Sequence, residues 1–439
     1  MVLLNQPICI AGAGFVGVVS AVAFAELGCA VTVYDTDTQR IAELDAGPRF
    51  HEAGVTELLR KHRARRRIRF TTDVAGAVDG AGIVVLCVET PASADGSPDL
   101  SILQQYVGEL AASDLSACGV VVVRSSVPPG TSEEIGAALG GRVPVIAAPE
   151  FLRKGTALDD FLAPDRTIVG GDDVDALAGF AALFEPLGAP LMFTTARNAE
   201  LIKAASNAFL ALKVTFANEI ANLCDALGAD AKEVLRGVGY DLRIGPAYLA
   251  PGIGFGGPSL EKDLRFLRNA AERRNVPFAL AGAVLEANRE QHRRVVAIAA
   301  EELGRLRGAR IAVWGLAFKA GTDDVSSSPA LRVIDELVEH GAIINAFDPA
   351  VNALALPAGA TLAPSALAAL KGADALLILT DWPEFAHIAP AAIAHALEGA
   401  LVIDGRNLLD AERISSAGLR YRGVGRFAEA GSDTLPVAI

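Results

Sequence analysis

The sequence is poor in cysteine and histidine, and neither residue has the spacing with which it usually builds a site. The five cysteines never form CxxC, and several lie inside apolar, strand-like segments. We therefore expect buried free thiols in a reducing compartment rather than a disulfide framework. The six histidines show neither HxxxH nor HxH spacing, so we expect no metal site.

Long apolar runs and an excess of basic charge are also absent. No apolar run reaches the roughly 18 residues of a membrane-spanning helix, and the apolar start lacks the basic residues of a secretion signal. We therefore expect a cytoplasmic protein that binds no membrane. The net charge of −13 and pI near 5.0 disfavour a nucleic-acid partner. Local Arg, Lys and backbone N–H groups would have to hold any anionic ligand.

The chain itself is long, with 439 residues of which 51% are hydrophobic, and this size suits two or three domains. In its first part short apolar runs alternate with amphipathic segments, which is typical of a parallel sheet covered by helices. The predicted strands there are 7–11, 30–34, 83–88, 120–124 and 143–147. From about residue 198 to 306 strand signals vanish and helical periodicity takes over, and the alternation returns after 308.

These patterns predict an α/β protein with two Rossmann-like, doubly wound domains joined by a helical central domain. The predicted boundaries are 1–197, 198–306 and 307–439. A weak internal repeat supports the two sheets, because ELGCAVTVYD (26–35) and EHGAIINAFD (339–348) share Glu, Gly and Asp at equal offsets. Each copy follows a strand that ends in a glycine turn.

A dinucleotide site is predicted at the first of these turns. Gly12, Gly14 and Gly17 form GxGxxG directly after a strand, and Asp35 follows 18 residues after the last glycine, near the expected distance for an acid. The glycines permit close approach of a pyrophosphate to a helix N-terminus. Asp35 would accept hydrogen bonds from the adenosine ribose and repel a 2′-phosphate, which favours NAD over NADP. The alternative is a tight turn without a ligand.

Two segments of the helical part are candidates for chemistry. Glu200, Lys203 and Asn207 share one helix face among Ala, Leu and Ile, where a lysine is costly unless paired. A surface salt-bridge stripe is the alternative. The segment GIGFGGPSLEKD (252–263) is rich enough in glycine for its backbone to approach a ligand, and a flexible linker is the alternative there.

The order of motifs resembles the UDP-glucose/GDP-mannose dehydrogenase family over essentially the whole chain. The matching motifs are AGAGFVG (11–17), VETP (88–91), RSSVPPGT (124–131), APEFLRKG (148–155), PDR (164–166), AELIKAASNAFLALK (199–213), RIG (243–245), GFGG followed by KD (262–263), GLAFKAGTDD (315–324), SPA (328–330), FDP (347–349) and DGRN (404–407).

This resemblance implies an N-terminal NAD domain, a helical dimerisation domain and a C-terminal domain that binds the sugar nucleotide. It implies a homodimer with a UDP-hexose substrate and a role in polysaccharide biosynthesis. Two successive hydride transfers would convert the sugar's primary alcohol into a carboxylate.

The resemblance also implies site residues. Lys203 and Asn207 match oxyanion-stabilising residues, and Asp263 matches a carboxylate that does acid–base work with a water. Glu150 matches a glutamate implicated in that chemistry, and Ser126 matches a family threonine beside it. The implied cofactor-binding residues are Gly12, Gly14, Phe15, Val16, Gly17, Asp35, Arg40, Thr90 and Ser126. The implied substrate-binding residues are Glu150, Phe151, Leu152, Arg153, Lys203, Asn207, Arg243, Tyr248, Gly256, Lys319 and Arg406. Of these, Arg243 would reach the neighbouring subunit's sugar.

Several polar positions depart from the family pattern. Ser259 stands where the family has its nucleophilic cysteine, with Pro258 before it and Glu261 in place of a proline. Lys154 replaces the second glutamate of PEFLxEG, and Ser326 replaces an arginine on the cofactor side. A thiol with a pKa of about 8.5 ionises usefully at neutral pH, whereas a hydroxyl needs an adjacent base. Lys154 or Lys203 could serve as that base.

Three functions remain open from the sequence. The first is a nucleotide-sugar 6-dehydrogenase, complete or slowed in its second oxidation. The second is an enzyme that stops at the aldehyde or uses transient oxidation for epimerisation. The third is a sugar-nucleotide binding protein without turnover.

Overall fold

The computed structural model describes residues 6–47, 50, 52–93 and 96–427, and the chain divides into two compact units. The first unit comprises Met1–Asn207 and Lys262–Phe278, and the second comprises Ala208–Glu261 and Ala279–Ile439. Each unit contains one sheet.

The sheet of the first unit has eight strands in the order β3-β2-β1-β4-β5-β6-β7-β8, parallel except between β6 and β7. Its strands are β1 (Ile8–Ala11), β2 (Val31–Tyr34), β3 (Ile68–Thr71), β4 (Ile83–Leu86), β5 (Val120–Val123), β6 (Val145–Ala147), β7 (Thr167–Gly170) and β8 (Leu191–Thr194). Its helices are α1 (Phe15–Glu26), α2 (Thr38–Ala46), α3 (Val55–Ala64), α4 (Val74–Val78), α5 (Ser101–Ala112), α6 (Thr131–Ala138), α7 (Ala157–Leu162) and α8 (Val174–Ala181), with a 3-10 turn at Glu185–Leu187.

Burial on both faces explains the composition of the central strands. The residues of β1, β4 and β5 read ICIA, IVVL and VVVV, and all are buried. β-Branched side chains suit such strands because helices cover both faces of a parallel sheet. On one face Phe24 lies 5.2 Å from Phe161 between ring centroids, edge to face, and packs in the same way on Phe180 and Phe184.

Long helices follow the first sheet. They are α9 (Ala196–Leu227), α10 (Ala231–Gly239), α11 (Leu260–Glu272) and α12 (Ala279–Leu303). The 32-residue α9 and the shorter α11 each contribute residues to both units. Among the residues that the structure describes, none of the helices combines the length and apolar character required to cross a bilayer.

The sheet of the second unit has seven strands in the order β11-β10-β9-β12-β13-β14-β15, parallel except between β14 and β15. The strands are β9 (Arg310–Trp314), β10 (Ile343–Phe347), β11 (Ala360–Leu362), β12 (Ala375–Ile378), β13 (Leu401–Asp404), β14 (Arg420–Gly423) and β15 (Arg426–Phe427). The helices are α13 (Pro329–Glu339), α14 (Ala366–Ala369), α15 (Pro383–Ala386), α16 (Pro390–Ala396) and α17 (Ala411–Ser416), with a 3-10 turn at Ala353–Ala355.

The predicted fold class is confirmed. Each of the five strands predicted for the first part is present, shortened by one or two residues. The internal repeat corresponds to β2 and β10, which pair in parallel with β1 and β9 respectively. Both sheets reverse their strand order beside the first strand, and such a switch point is where open α/β sheets bind ligands.

Candidate active site

The glycine turn between β1 and α1 has the geometry that a dinucleotide requires. Gly12 has a φ of 106°, and a Cβ there would lie 2.7 Å from the carbonyl oxygen of Cys87. A Cβ on Gly17 would lie 1.9 Å from the carbonyl oxygen of Gly12, so α1 can pack on the turn only through glycine. A Cβ on Gly14 would meet only a movable side chain, that of Glu89. The turn itself therefore requires Gly12 and Gly17, and it is the kind of turn against which dinucleotide-binding folds place a pyrophosphate.

The N-terminus of α1 faces the same ligand position. Phe15 and Val16 form its first turn, which contains no acidic residue, and no described side chain caps it. Its backbone N–H groups are thus suited to an anion.

Asp35 lies at the end of β2 and is 3% exposed. Its carboxylate accepts hydrogen bonds from the backbone N–H groups of Ala13 (2.6 Å) and Asp37 (2.9 Å). Arg40 Nη1 lies 3.4 Å from Asp35 Oδ2 while its side chain remains 43% exposed. Since a carboxylate has roughly four acceptor sites, Asp35 keeps capacity for a ribose hydroxyl. The arginine beside it would suit a 2′-phosphate if the carboxylate were removed.

The repeated acid of the second sheet has a different set of partners. Asp348 Oδ2 accepts from the backbone N–H groups of Leu316 (2.7 Å) and Ala317 (3.1 Å), as Asp35 does from Ala13. The same oxygen also accepts from Trp382 Nε1 at 3.1 Å. The acid therefore tightens its own turn in both sheets.

A row of polar side chains on α9 is buried in the first unit. Lys203 Nζ lies 3.2 Å from Glu150 Oε1, and Asn207 Nδ2 donates to Asp263 Oδ2 at 2.6 Å. Glu200 instead accepts from the backbone N–H groups of Gly130 and Ser132 at the start of α6. Burial raises the pKa of the Glu200 carboxyl. The surface salt-bridge alternative is wrong, because all three helix side chains are buried.

A second set of contacts extends this site to β4 and β5. Lys262 Nζ lies 3.4 Å from Asp263 Oδ1 and donates to Thr90 Oγ1 at 3.3 Å. Thr90 Oγ1 in turn donates to the carbonyl oxygen of Ser126 at 2.6 Å. Lys262 is part of the KD motif (262–263), in which the resemblance gives a role only to Asp263. Its position beside Asp263 in the chain is the signal that could have identified it.

Of the three predicted residues that follow Glu150, Phe151 and Leu152 contact the Glu150–Lys203 pair, whereas Arg153 pairs with Asp160. The ring of Phe151 lies under two cations, with Arg166 at 4.1 Å and Lys203 Nζ at 5.3 Å from its centroid. The Leu152 backbone N–H donates to Glu150 Oε2 at 2.6 Å and orients that carboxylate. Arg153 is exposed and forms a salt bridge with Asp160.

In the second unit the glycine-rich loop is ordered and buried, so the flexible-linker alternative is wrong. Asn218 Oδ1 accepts from the backbone N–H of Gly252, and Asn288 bonds both the N–H and the carbonyl of Phe255. A Cβ on Gly256 would lie 2.4 Å from the carbonyl oxygen of Ser327, and one on Gly257 would lie 2.7 Å from the Phe318 ring. Packing within the protein therefore demands these two glycines.

The remaining predicted residues also lie in the second unit. Ser259 is partly buried and directly precedes α11, four residues before Asp263. Arg243 is exposed and pairs with Asp241 at 2.6 Å, and Tyr248 has a positive φ of 63°.

Arg406 follows β13 and donates through Nε to the carbonyl oxygen of Leu379 at 2.8 Å. Lys319 follows Phe318 in the turn after β9 and is partly buried. Across the described ranges, His, Cys, Asp and Glu side chains nowhere converge in threes as metal ligands would.

These groups can perform a defined chemistry. The buried pairs place an ammonium, an amide and two carboxylates on adjacent turns of one helix and its neighbours. Such a set can take a proton from a hydroxyl and stabilise the resulting oxyanion. The same unit also contains the glycine turn between β1 and α1.

Three domain models of one family match the chain. They are the UDP-glucose/GDP-mannose dehydrogenase family NAD binding domain over 6–188, its central domain over 197–290 and its UDP binding domain over 312–411. The chain belongs to the UDP-glucose/GDP-mannose dehydrogenase family. The resemblance noted in the sequence is thereby confirmed.

Similar proteins cover almost the whole chain. UDP-glucose 6-dehydrogenase TuaD of Bacillus subtilis (strain 168) is 37% identical over 445 residues, spanning 98% of this chain and 95% of that protein. UDP-glucose 6-dehydrogenase of Rhizobium meliloti (strain 1021) is 39% identical over 434 residues, spanning 94% and 98%. A solved UDP-glucose dehydrogenase from Pyrobaculum islandicum matches with a TM-score of 0.88 and 35% identity over 96% of this chain and 98% of its own.

Membership of this family determines the class of activity. The protein is an NAD-dependent nucleotide-sugar dehydrogenase with a domain that binds the sugar nucleotide. The choice of NAD agrees with the sequence prediction from Asp35.

The cofactor turn yields a prediction. Asp35→Ala should weaken NAD binding by roughly 10- to 100-fold, because a buried acceptor for the ribose is lost. It should strengthen NADP binding, because Arg40 is released to meet a 2′-phosphate. Calorimetric titration of both cofactors measures the effect.

The repeat supplies the matched control for this experiment. Asp348→Ala removes the corresponding acid from the second sheet and should leave NAD affinity unchanged. If Asp35→Ala also leaves NAD affinity unchanged, the assignment of Asp35 to the ribose is wrong.

Proposed function

We propose that the protein oxidises the primary alcohol of a UDP-hexose, with UDP-glucose as the preferred sugar, and performs the first oxidation faster than the second. The observation that carries this proposal is the buried row of Lys203–Glu150 and Asn207–Asp263 pairs in the unit that also contains the glycine turn. The UDP binding domain model and relatives named UDP-glucose 6-dehydrogenases support the choice of substrate.

Removal of the alcohol proton is the first task of these residues. Asp263 is 1% exposed and still carries a hydrogen bond from Asn207 and an ammonium neighbour, Lys262. Both contacts hold the carboxylate in place, and a water could relay the sugar proton to it. When bound, NAD supplies the acceptor for the hydride that leaves the carbinol carbon.

Stabilisation of the sugar oxygen is the second task. The Lys203 ammonium and the Asn207 amide lie one turn apart on α9, so both can donate to one developing oxyanion. Glu150 fixes the position of Lys203 and is itself fixed by the backbone N–H of Leu152.

The second oxidation needs a nucleophile that adds to the aldehyde, and the chain offers a hydroxyl there. Ser259 aligns with the family's cysteine, as the sequence motifs imply. None of the five cysteines supplies a ready thiolate in its place, because burial raises the pKa of each thiol, to about 12 for Cys9 and for Cys87. At neutral pH a smaller fraction of a serine hydroxyl than of a cysteine thiol is ionised. Attack on the aldehyde by Ser259 is therefore slower than attack by a cysteine.

An exposed apolar stripe on α9 supports a proposal about assembly. Phe209, Phe216 and Leu223 recur every seven residues on α9, and each is 44% exposed or more. An apolar stripe of this kind marks an association surface, which supports a homodimer. Nearby Leu242 is 99% exposed beside Arg243, as suits a segment that reaches a neighbouring subunit's sugar.

We retain the three-domain division at 1–197, 198–306 and 307–439, supported by the separate ranges of the three family models. A cytoplasmic location, inferred from the sequence, stays a prediction.

Lys203 provides a test of the oxyanion site. Lys203→Ala should lower turnover roughly 100- to 1000-fold while changing substrate affinity far less, since the donor acts on charge that develops during the reaction. Steady-state kinetics with UDP-glucose measures both. Lys232→Ala, at an exposed lysine of α10, is the control. A near-normal rate for Lys203→Ala would remove it from the chemistry.

Ser259 decides how far the reaction proceeds. In rapid-quench experiments with mass spectrometry, wild type should give one NADH and one aldehyde per sugar in the fast phase, with uronate forming slowly. Ser259→Ala should keep the first oxidation. Ser259→Cys should speed uronate formation without full restoration, because Lys154 and Glu261 also differ from the family. Two NADH and one uronate in the fast phase of wild type would show the hydroxyl to be activated or unnecessary.

The proposed dimer is tested through the stripe on α9. The double variant Phe209→Glu with Phe216→Glu should shift the protein from dimer to monomer in light scattering coupled to gel filtration. Ile343→Glu, at an isoleucine of comparable exposure on β10, should leave the mass unchanged. A dimeric double variant would place the interface elsewhere.

A further inference from the structure

Two side chains of opposite charge flank the dinucleotide turn. The Glu89 carboxylate follows β4, and its Oε1 lies 3.2 Å from the position of a Cβ on Gly14. The Lys154 ammonium follows β6 and lies 5.1 Å from the centroid of the Phe15 ring. Gly14 and Phe15 are consecutive residues, the N-cap and first residue of α1. Both charges therefore lie at the edge of the sheet where a dinucleotide would bind.

The positions of the Glu89 and Lys154 charges would affect the binding of an anionic group such as a pyrophosphate. Strands β1, β4, β5 and β6 are parallel neighbours, so their carboxyl ends meet at this one edge. A dinucleotide approaches such an edge with its pyrophosphate against the glycine turn and the helix N-terminus. A lysine there attracts the pyrophosphate, and a glutamate repels it.

The protein as a whole does not help to bind this anion. Its net charge of −13 creates a field that opposes an anionic ligand, so attraction must come from local groups. The turn contributes backbone N–H groups, and no basic side chain occurs between Gly12 and Gly17. Lys154 is the cation that the structure places beside the first residue of α1.

We propose that Lys154 is a cofactor-binding residue whose ammonium binds the pyrophosphate of NAD, and that the Glu89 carboxylate opposes it and limits the affinity. This inference rests on the proposed placement of NAD at the glycine turn. It assigns Lys154 to the cofactor rather than to the activation of Ser259. The two side chains together would set how tightly the dinucleotide is held before and after turnover.

Binding of a ligand series to the full chain tests this assignment. Lys154→Gln should weaken NAD and ADP-ribose by about tenfold and leave adenosine unchanged, because adenosine lacks the pyrophosphate. Glu89→Gln should tighten NAD and ADP-ribose and also leave adenosine unchanged. Both effects should shrink as salt is raised from 0.05 M to about 0.5 M, since the Debye length shortens.

Two control variants separate the possible failures. Lys154→Arg keeps the charge and should keep most of the ADP-ribose affinity, whereas Lys154→Glu should lose more than Lys154→Gln. If Lys154→Gln binds ADP-ribose normally while Asp35→Ala loses NAD affinity, the assignment of Lys154 is wrong and the cofactor site stands. If neither variant loses affinity, the cofactor site itself is wrong.

The remaining outcomes are also decisive. Lys154→Gln could lower turnover without changing ADP-ribose affinity, and this result would place the lysine in the sugar chemistry and overturn the proposal. Equal weakening of adenosine would show a general distortion of the turn and overturn it too. Since Glu89 is exposed, Glu89→Gln should fold normally, and its tighter binding of ADP-ribose supports the proposal independently.

Discussion

The need to pair buried polar groups along α9 determines how the elements around the proposed active site are arranged. A buried ammonium or carboxylate is costly unless a partner of opposite charge or a hydrogen-bond donor meets it. Each residue of the row contacts a different element. Glu200 accepts a hydrogen bond at the start of α6, and Lys203 pairs with Glu150 in the loop after β6. Asn207 donates to Asp263 on α11. One helix thus holds the start of α6, the loop after β6 and α11 in register. A change in the rotation of α9 would leave all three groups unpaired.

The two sheets show how one repeated acid can serve different purposes. Asp35 and Asp348 each tighten the turn after the first strand by accepting backbone N–H groups. Asp35 also has a partly exposed arginine as neighbour, whereas Asp348 is met by the indole of Trp382. The acid of the first sheet therefore has a partly exposed polar neighbour, as suits the ribose proposed to bind there, whereas the acid of the second sheet is met by an aromatic ring.

The slow second oxidation that we propose for Ser259 rests on ionisation rather than on shape. The neighbouring loop is firmly built, because Asn218 and Asn288 bond its backbone and two of its glycines pack tightly against Ser327 and Phe318. A loop held in this way presents residue 259 in a defined place whether that residue is serine or cysteine. A serine oxygen holds its proton more tightly than a cysteine sulfur, so under our proposal it supplies less nucleophile at neutral pH.

The sequence by itself determined the fold class, the cofactor and the family. Alternating strand and helix signals, GxGxxG and an acid 18 residues later are local patterns whose physical causes, burial on two faces and a turn that only glycine can make, act over short stretches of chain. Tertiary structure alone decided that Asn207 meets Asp263 across 56 residues and that Lys262 meets Thr90 across 172. It likewise placed Lys154 beside Phe15 and separated Glu200 from the Lys203 pair. Helical spacing predicts which side chains share a face. The partners of those side chains depend on how distant elements pack. This packing minimises unpaired buried charge over the whole unit, which no single segment can determine.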